Sequence, residues 1–210
     1  LGGKLPNYLL SVYHEDKKMF EIMNGTTDFE FEKSIKSDNI FWIASMSKPI
    51  TSLAALQLVE RGELNLDDPI DKYLPYFSDP LVAIDGNMAS ELKPAKNKIL
   101  VKNLLTHTSG LTYGSMIAKE NDVSKLYDGI DPMSPARSLS DSVNLISELP
   151  LIAEPNTEFN YSIGVMVLGL IIEDITGMQL GDYLDENIFK PLGMQDSAFY
   201  IGMNKQERIA

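Results

Sequence analysis

The sequence predicts an α/β part joined to an all-helical part, and three observations predict it. Two β-prone runs stand together at the front, two helices that are apolar around most of their circumference follow, and Gly and Pro mark the helix ends. Residues 8–13 (YLLSVY) and 19–23 (MFEIM) are rich in Tyr, Val, Phe and Ile and are separated by a polar stretch, which reads as a β-hairpin. Asn24-Gly25 is expected to turn the chain. A polar connector then leads to the strongest helix, about 45–61, whose apolar residues on all sides predict burial on nearly all sides; Gly62 stops it.

Residues 78–98 are polar and broken by Pro80, Gly86 and Pro94, as in a long surface connection. A short helix is expected at about 99–106. Residues 107–137 show no clear periodicity, and Leu139, Val143, Ile146 and Leu149 then return at helical spacing up to Pro150. The second nearly all-apolar helix follows Ser162 and ends at Gly177. A last helix is expected over about 179–190, before Pro191. A lone hairpin has two unpaired edges and is marginal by itself, so the sheet is expected to be completed by something else.

Composition narrows the chemistry. At 210 residues, 44% hydrophobic and 23% charged, the chain is long enough for a real core without disulfide or metal staples. The net charge of −12, with no local basic patch, argues against a nucleic-acid partner. With no cysteine, and His14 and His107 as the two histidines, thiol catalysis and thiolate or histidine-rich metal sites are excluded, and no cofactor is implied. No stretch reaches the length of a membrane span. The compartment stays open between cytoplasmic and periplasmic or secreted, because the chain begins at a Leu and a targeting segment could have been removed.

Ser45-Met46-Ser47-Lys48 is a Ser-x-x-Lys tetrad. With 18 Ser and 15 Lys in the chain, chance alone gives about one such tetrad, and Ser90-Glu91-Leu92-Lys93 is a second match. Context separates them, since the first lies at the entrance to the buried helix and the second in a polar loop. In a helical first turn the three-residue spacing puts Ser45 and Lys48 on one face, as a nucleophile and its base require. The helix start also offers the Ser45 N–H and a positive dipole end to a developing oxyanion. Burial would lower the pKa of Lys48 and make it a base. The alternative is an N-cap at Ser45 with a solvated Lys48. Tyr161, at the entrance to the second apolar helix, could reach a shared cleft, or simply pack with a wet tip.

Taken together, the strings FWIASMSKPITSLAALQLVERGELNLDDPIDKYLP (41–75), LVKNLLTHTSGLTYG (100–114), EPNTEFNYSIGVMVLGLIIEDITG (154–177) and IFKPLGMQDSAFY (188–200) resemble the penicillin-recognising serine hydrolases. These comprise class C β-lactamases, D-Ala-D-Ala carboxypeptidases and family VIII carboxylesterases. The resemblance implies a β-lactamase/transpeptidase-like fold with part of the antiparallel sheet absent from this chain. Residues 1–60 would carry the hairpin and nucleophile helix of the α/β domain, and residues 61–210 the mostly helical domain. It also implies catalytic roles for Ser45, Lys48 and Tyr161, without metal or cofactor.

Two departures follow. Ile163 stands where the β-lactamase Tyr-x-Asn pattern has its amide, which favours the esterase branch. The family's third motif, a Lys-Thr-Gly, His-x-Gly or Trp-Gly-Gly-type strand, comes after the helical domain and has no matching segment in this chain; His107-Thr108-Ser109-Gly110 precedes the tyrosine, is not that motif and reads as a structural loop. The expected activity is hydrolysis of, or acyl transfer from, a small-molecule carboxylic ester through an acyl-enzyme. The alternatives are a β-lactamase or D-Ala-D-Ala carboxypeptidase acting on an amide, and a non-catalytic binding or sensor fragment. Association with a missing C-terminal segment is a further expectation; oligomeric state is left open.

Overall fold

A computed structural model of the chain describes residues 5–28, 30, 32–83, 86–88, 92–118 and 120–210. Its contacts group the chain into two units, Leu1–Ser45 with Met194–Ala210, and Met46–Gly193.

In the first unit, strands β1 (Asn7–His14) and β2 (Lys17–Gly25) form the expected antiparallel hairpin. Glu15 and Asp16 at its tip both have positive φ, 46° and 61°, the two-residue turn whose twist matches that of the strands. The register pairs Leu10 with Ile22 and Val12 with Phe20, so these four residues share one face, and all four are exposed. Asn24-Gly25 is not a chain reversal. Gly25 instead ends β2 opposite Asn7 at φ 102°, where a Cβ would collide with the Pro6 carbonyl oxygen. Ile40 and Ile209 form a parallel bridge, with Ile40 N–H donating to the Arg208 carbonyl (2.7 Å) and Ala210 N–H to that of Ile40 (2.9 Å). The Arg208 guanidinium grips Asp196 at 2.6 and 3.0 Å and, with Lys205, holds its carboxyl down at about 2.

The second unit is built on helix α5 (Gly164–Thr176), where Val167, Leu168, Ile171 and Ile172 are wholly buried. Burying each such side chain is worth about 1.5–3 kcal/mol. Gly177 ends it in the left-handed conformation, as the sequence predicts. Helices α1 (Ser47–Glu60), α2 (Val101–Leu105), α4 (Leu139–Ser147) and α6 (Leu180–Leu184) pack on it. Among the described residues, no single helix is long and apolar enough to cross a membrane.

Several elements differ from expectation. Helix α1 is not buried all round: Thr51, Ala54, Ala55 and Leu58 are buried, while Leu53 and Leu56 stay exposed. A third helix, α3 (Asp122–Ile130), lies inside the stretch without periodicity. Its start is set by reciprocal capping, with Ser124 N–H donating to Asn121 Oδ1 (2.8 Å) and Asn121 N–H to Ser124 Oγ (2.9 Å). With nine residues and only Val123, Ser124 and Tyr127 buried, its apolar period is too short to stand out. The 78–98 connection is anchored, because β3 (Leu81–Val82) pairs with β4 (Lys93–Pro94) and bridges to Leu151, burying Val82 and Ala83. Ser90, of the second tetrad, lies outside the described residues. Helix α6 is five residues long and passes into a π-type turn over Asp185–Phe189 instead of running unbroken to 190.

Candidate active site

Two loops of the second unit make the site. Residues 107–113 and 152–163 are laced by backbone hydrogen bonds: Ile152 N–H to Gly110 O (2.9 Å), Asn156 N–H to Thr108 O (2.7 Å), Asn160 N–H to His107 O (2.8 Å) and Ile163 N–H to Thr112 O (3.3 Å). The buried Asn103 of α2 braces both, donating to Thr108 Oγ1 (3.0 Å) and Asn156 Oδ1 (3.3 Å). Gly110 sits at φ 79° where a Cβ would run into the Ala153 carbonyl oxygen, so the approach of the loops requires glycine. This lacing sets Tyr113 beside Tyr161, their ring centroids 5.5 Å apart.

Lys48, in the first turn of α1, meets both rings. Its Nζ lies 5.0 Å from the Tyr161 centroid and 5.4 Å from that of Tyr113, within cation–π range of both rings. Of the residues expected from sequence, the structure therefore brings Lys48 and Tyr161 together. Burial pushes the Lys48 ammonium down, as the sequence reading expects. The interaction of the ammonium with the Tyr113 and Tyr161 hydroxyls outweighs that effect, and the net shift is upward. The expected fall is thus corrected: the two phenols stabilise the cation more than partial desolvation destabilises it.

Ser45 lies in the 3-10 turn Ala44–Met46 that runs into α1. It is exposed, and it does not occupy the N-cap, which falls on Met46 without a side-chain cap. Ala44, directly before it, has φ 45°, a strained left-handed conformation for a residue with a Cβ, of the kind that clusters at functional positions. Ile163 is buried at 2% exposure at the start of α5 and presents no polar group.

Two residues of the cluster escape sequence reasoning. Tyr113 lies within a quoted string but carries no local sign of its role. The only available signal is a Tyr following a polar, Gly-punctuated loop. His107, read as structural, packs its ring 4.8 Å from that of Tyr161, and Ser162 N–H donates to its Nδ1 (3.2 Å). Burial and the Lys48 charge hold its imidazole below the usual histidine value. Tyr161 opens on a cavity of about 540 Å³, whose apolar walls are Ile117, Ile152 and Phe159 and whose one charged lining residue, among those described, is Glu158.

The family model described as Beta-lactamase matches residues 2–210. The chain belongs to the beta-lactamase family. It has the β-lactamase/transpeptidase-like fold that the motifs imply. Esterase EstB of Burkholderia gladioli is 34% identical over 183 residues, covering 86% of this chain and 44% of EstB. Among solved structures, EstCE1, a hydrolase with promiscuous acyltransferase activity, superposes with a TM-score of 0.82 at 25% identity, covering 99% of this chain and 51% of that one. Simvastatin synthase (LovD) from Aspergillus terreus gives 0.76 at 25% identity, covering 98% and 53%. The chain spans about half the length of the curated relatives it matches.

Proposed function

We propose that the protein is a serine hydrolase or acyltransferase acting on neutral carboxylic esters through an acyl-enzyme on Ser45. The observation that carries this reading is the Lys48 ammonium set against the Tyr113 and Tyr161 rings, because an ammonium beside a phenol stabilises the phenolate more than the phenol. With Tyr161 ionised to the phenolate that the Lys48 cation stabilises, Ser45 Oγ attacks the ester carbonyl and its proton passes to the phenolate oxygen; the acyl–oxygen bond breaks, and Tyr161 returns the proton to the departing alkoxide. Water, or an acceptor alcohol, then gives its proton to Tyr161 as it attacks the acyl-enzyme and releases Ser45.

Preference for neutral esters is supported by the cavity beside Tyr161. Among its described lining residues the one charge is the carboxylate of Glu158, which repels the carboxylate that penicillins and D-Ala-D-Ala peptides carry. The buried Ile163 adds no amide to hold such a group. The names of the relatives, an esterase and acyltransferases among them, point the same way.

Intact mass after exposure to a fluorophosphonate tests the nucleophile, with one adduct expected on the wild-type protein and none on Ser45→Ala. Turnover of a short-chain aryl ester exceeding that of a penicillin is the expected preference. A penicillin turned over faster would favour the β-lactamase reading, and no adduct on the wild type would leave a binding role.

A further inference from the structure

The backbone N–H groups of the two residues next to Tyr161 end on one residue. Asn160 N–H donates to the His107 carbonyl (2.8 Å) and Ser162 N–H to His107 Nδ1 (3.2 Å). The His107 ring meanwhile packs on Tyr161 at 4.8 Å and meets Phe159 edge-on at 5.8 Å. For one residue to present both its carbonyl and its ring to the same segment, its backbone must turn back on itself. His107 does so at φ 56°, a conformation that costs energy for a residue with a Cβ and persists only when its surroundings enforce it.

A backbone N–H can only donate, so Nδ1 must carry a lone pair and the proton of the neutral ring must sit on Nε2. Ser162 Oγ, 3.3 Å from the same Nδ1, accepts from Gly164 N–H (3.2 Å) at the start of α5. The ring is thus tied into the helix that follows Tyr161.

We infer that His107 is a positioning residue for Tyr161, clamping the backbone N–H groups of its two neighbours, Asn160 and Ser162, through its carbonyl and an unprotonated Nδ1, and that protonation of the ring opens the clamp. A proton on Nδ1 would face the Ser162 N–H, and the new charge would face Lys48 from α1. Tyr161 is the ionisable group packed on the ring, and among the described residues no carboxylate bonds the ring to favour the cation. Both effects oppose protonation, in keeping with the direction in which the ring is shifted.

The inference rests on Tyr161 being the proton-transfer group, so its test has one arm that does not use activity. Nitrogen-15 NMR of the full chain, with His107→Asn identifying the signal against His14, should show His107 as the Nε2–H tautomer, titrating below the ordinary value of 6.5. A protonated Nδ1 in the neutral ring, or titration at or above 6.5, would overturn the inference whatever the enzyme does.

The activity arm compares two variants, each checked for its melting temperature. Asn keeps an acceptor in the position of Nδ1, tolerates positive φ and does not titrate. His107→Asn should therefore keep more of kcat than His107→Phe while removing from the pH profile the inflection that matches the His107 titration measured by NMR. His107→Phe keeps an aromatic ring without the acceptor and should lower kcat about 10- to 100-fold, the cost of a misplaced group, with KM little changed. An inflection at the His107 titration point surviving in His107→Asn, or full kcat in His107→Phe, would sink the idea. Absence of ester turnover in the wild type would instead count against the proposed function and leave the NMR result to decide this one.

Discussion

Tyr113→Phe isolates one bond of the cluster. Tyr113 is 5% exposed, so phenylalanine keeps the ring's packing and the change removes the hydroxyl alone. That hydroxyl is one of two phenol partners of the Lys48 ammonium. A hydrogen bond to a charged group is worth about 1.5–3 kcal/mol. If the bond acts fully in the transition state, its loss costs about 10- to 150-fold in kcat. Tyr161 still pairs the ammonium, so the lower end, about tenfold, is expected.

The pH profile gives the sharper reading. The Lys48 pKa is raised above 10.5, so the cation and its contribution to stability are fully present below the unfolded value and are lost as pH rises through the folded one. Removing Tyr113's hydroxyl takes away a raising influence and leaves the burial that lowers it, so the basic limb of kcat should move to lower pH. The assay is steady-state turnover of an aryl ester across the alkaline range, with circular dichroism to confirm folding. An unchanged kcat with an unmoved basic limb would refute the role given to Tyr113 and the assignment of Lys48 as the working cation.

Two further substitutions probe the frame. Ile163→Asn restores the amide of the β-lactamase pattern but places it where the side chain is 2% exposed. It should cost about 3 kcal/mol in denaturant unfolding without conferring penicillin turnover, and a gain of that activity would contradict the inward orientation of residue 163. Tyr127 is wholly buried, and its hydroxyl lies near the Thr112 backbone without completing a hydrogen bond to any described residue. Tyr127→Phe should therefore be neutral or stabilising by about 1 kcal/mol, and a loss of stability on that scale would reveal a partner for the hydroxyl.

The elements legible in the sequence are those whose signal is local. The hairpin announces itself through β-prone runs, and α5 through an unbroken apolar stretch closed by Gly177, since both the period and the stop lie within the element. Helix α3 escapes because its nucleus is a side-chain cap between Asn121 and Ser124, with too few apolar positions for a period to register. The over-reading of α1 has the opposite cause. Ala54 and Ala55 bury fully because they are small, while Leu53 and Leu56 on the other side remain exposed, so apolar composition alone overstated how much of the helix is covered.

At the site, Lys48 and Tyr161 stand out because each sits at the mouth of an apolar helix. Tyr113 and His107 are set by hydrogen bonds between loops some fifty residues apart in sequence, such as Ser162 to His107, and no window along the chain contains that information. The same limit misled the electrostatic reading. Burial of Lys48 can be anticipated from the helix it begins, but the phenol that reverses its effect comes from a loop whose course the sequence does not reveal.

That reversal bears on which group takes the Ser45 proton. An ammonium whose interactions with two phenols hold its pKa above the ordinary value has no lone pair to offer at neutral pH, so the proton's natural destination is a phenolate oxygen that the cation stabilises. Lys48→Arg separates the two roles, since guanidinium retains the charge and does not deprotonate in proteins. If Lys48 serves as a cation, the arginine variant should keep more turnover than Lys48→Met at every pH and should lose the basic limb seen in the wild type. If the arginine variant is no more active than the methionine one, while both remain folded, the base is Lys48 itself, and the interactions that raise its pKa must loosen when substrate binds.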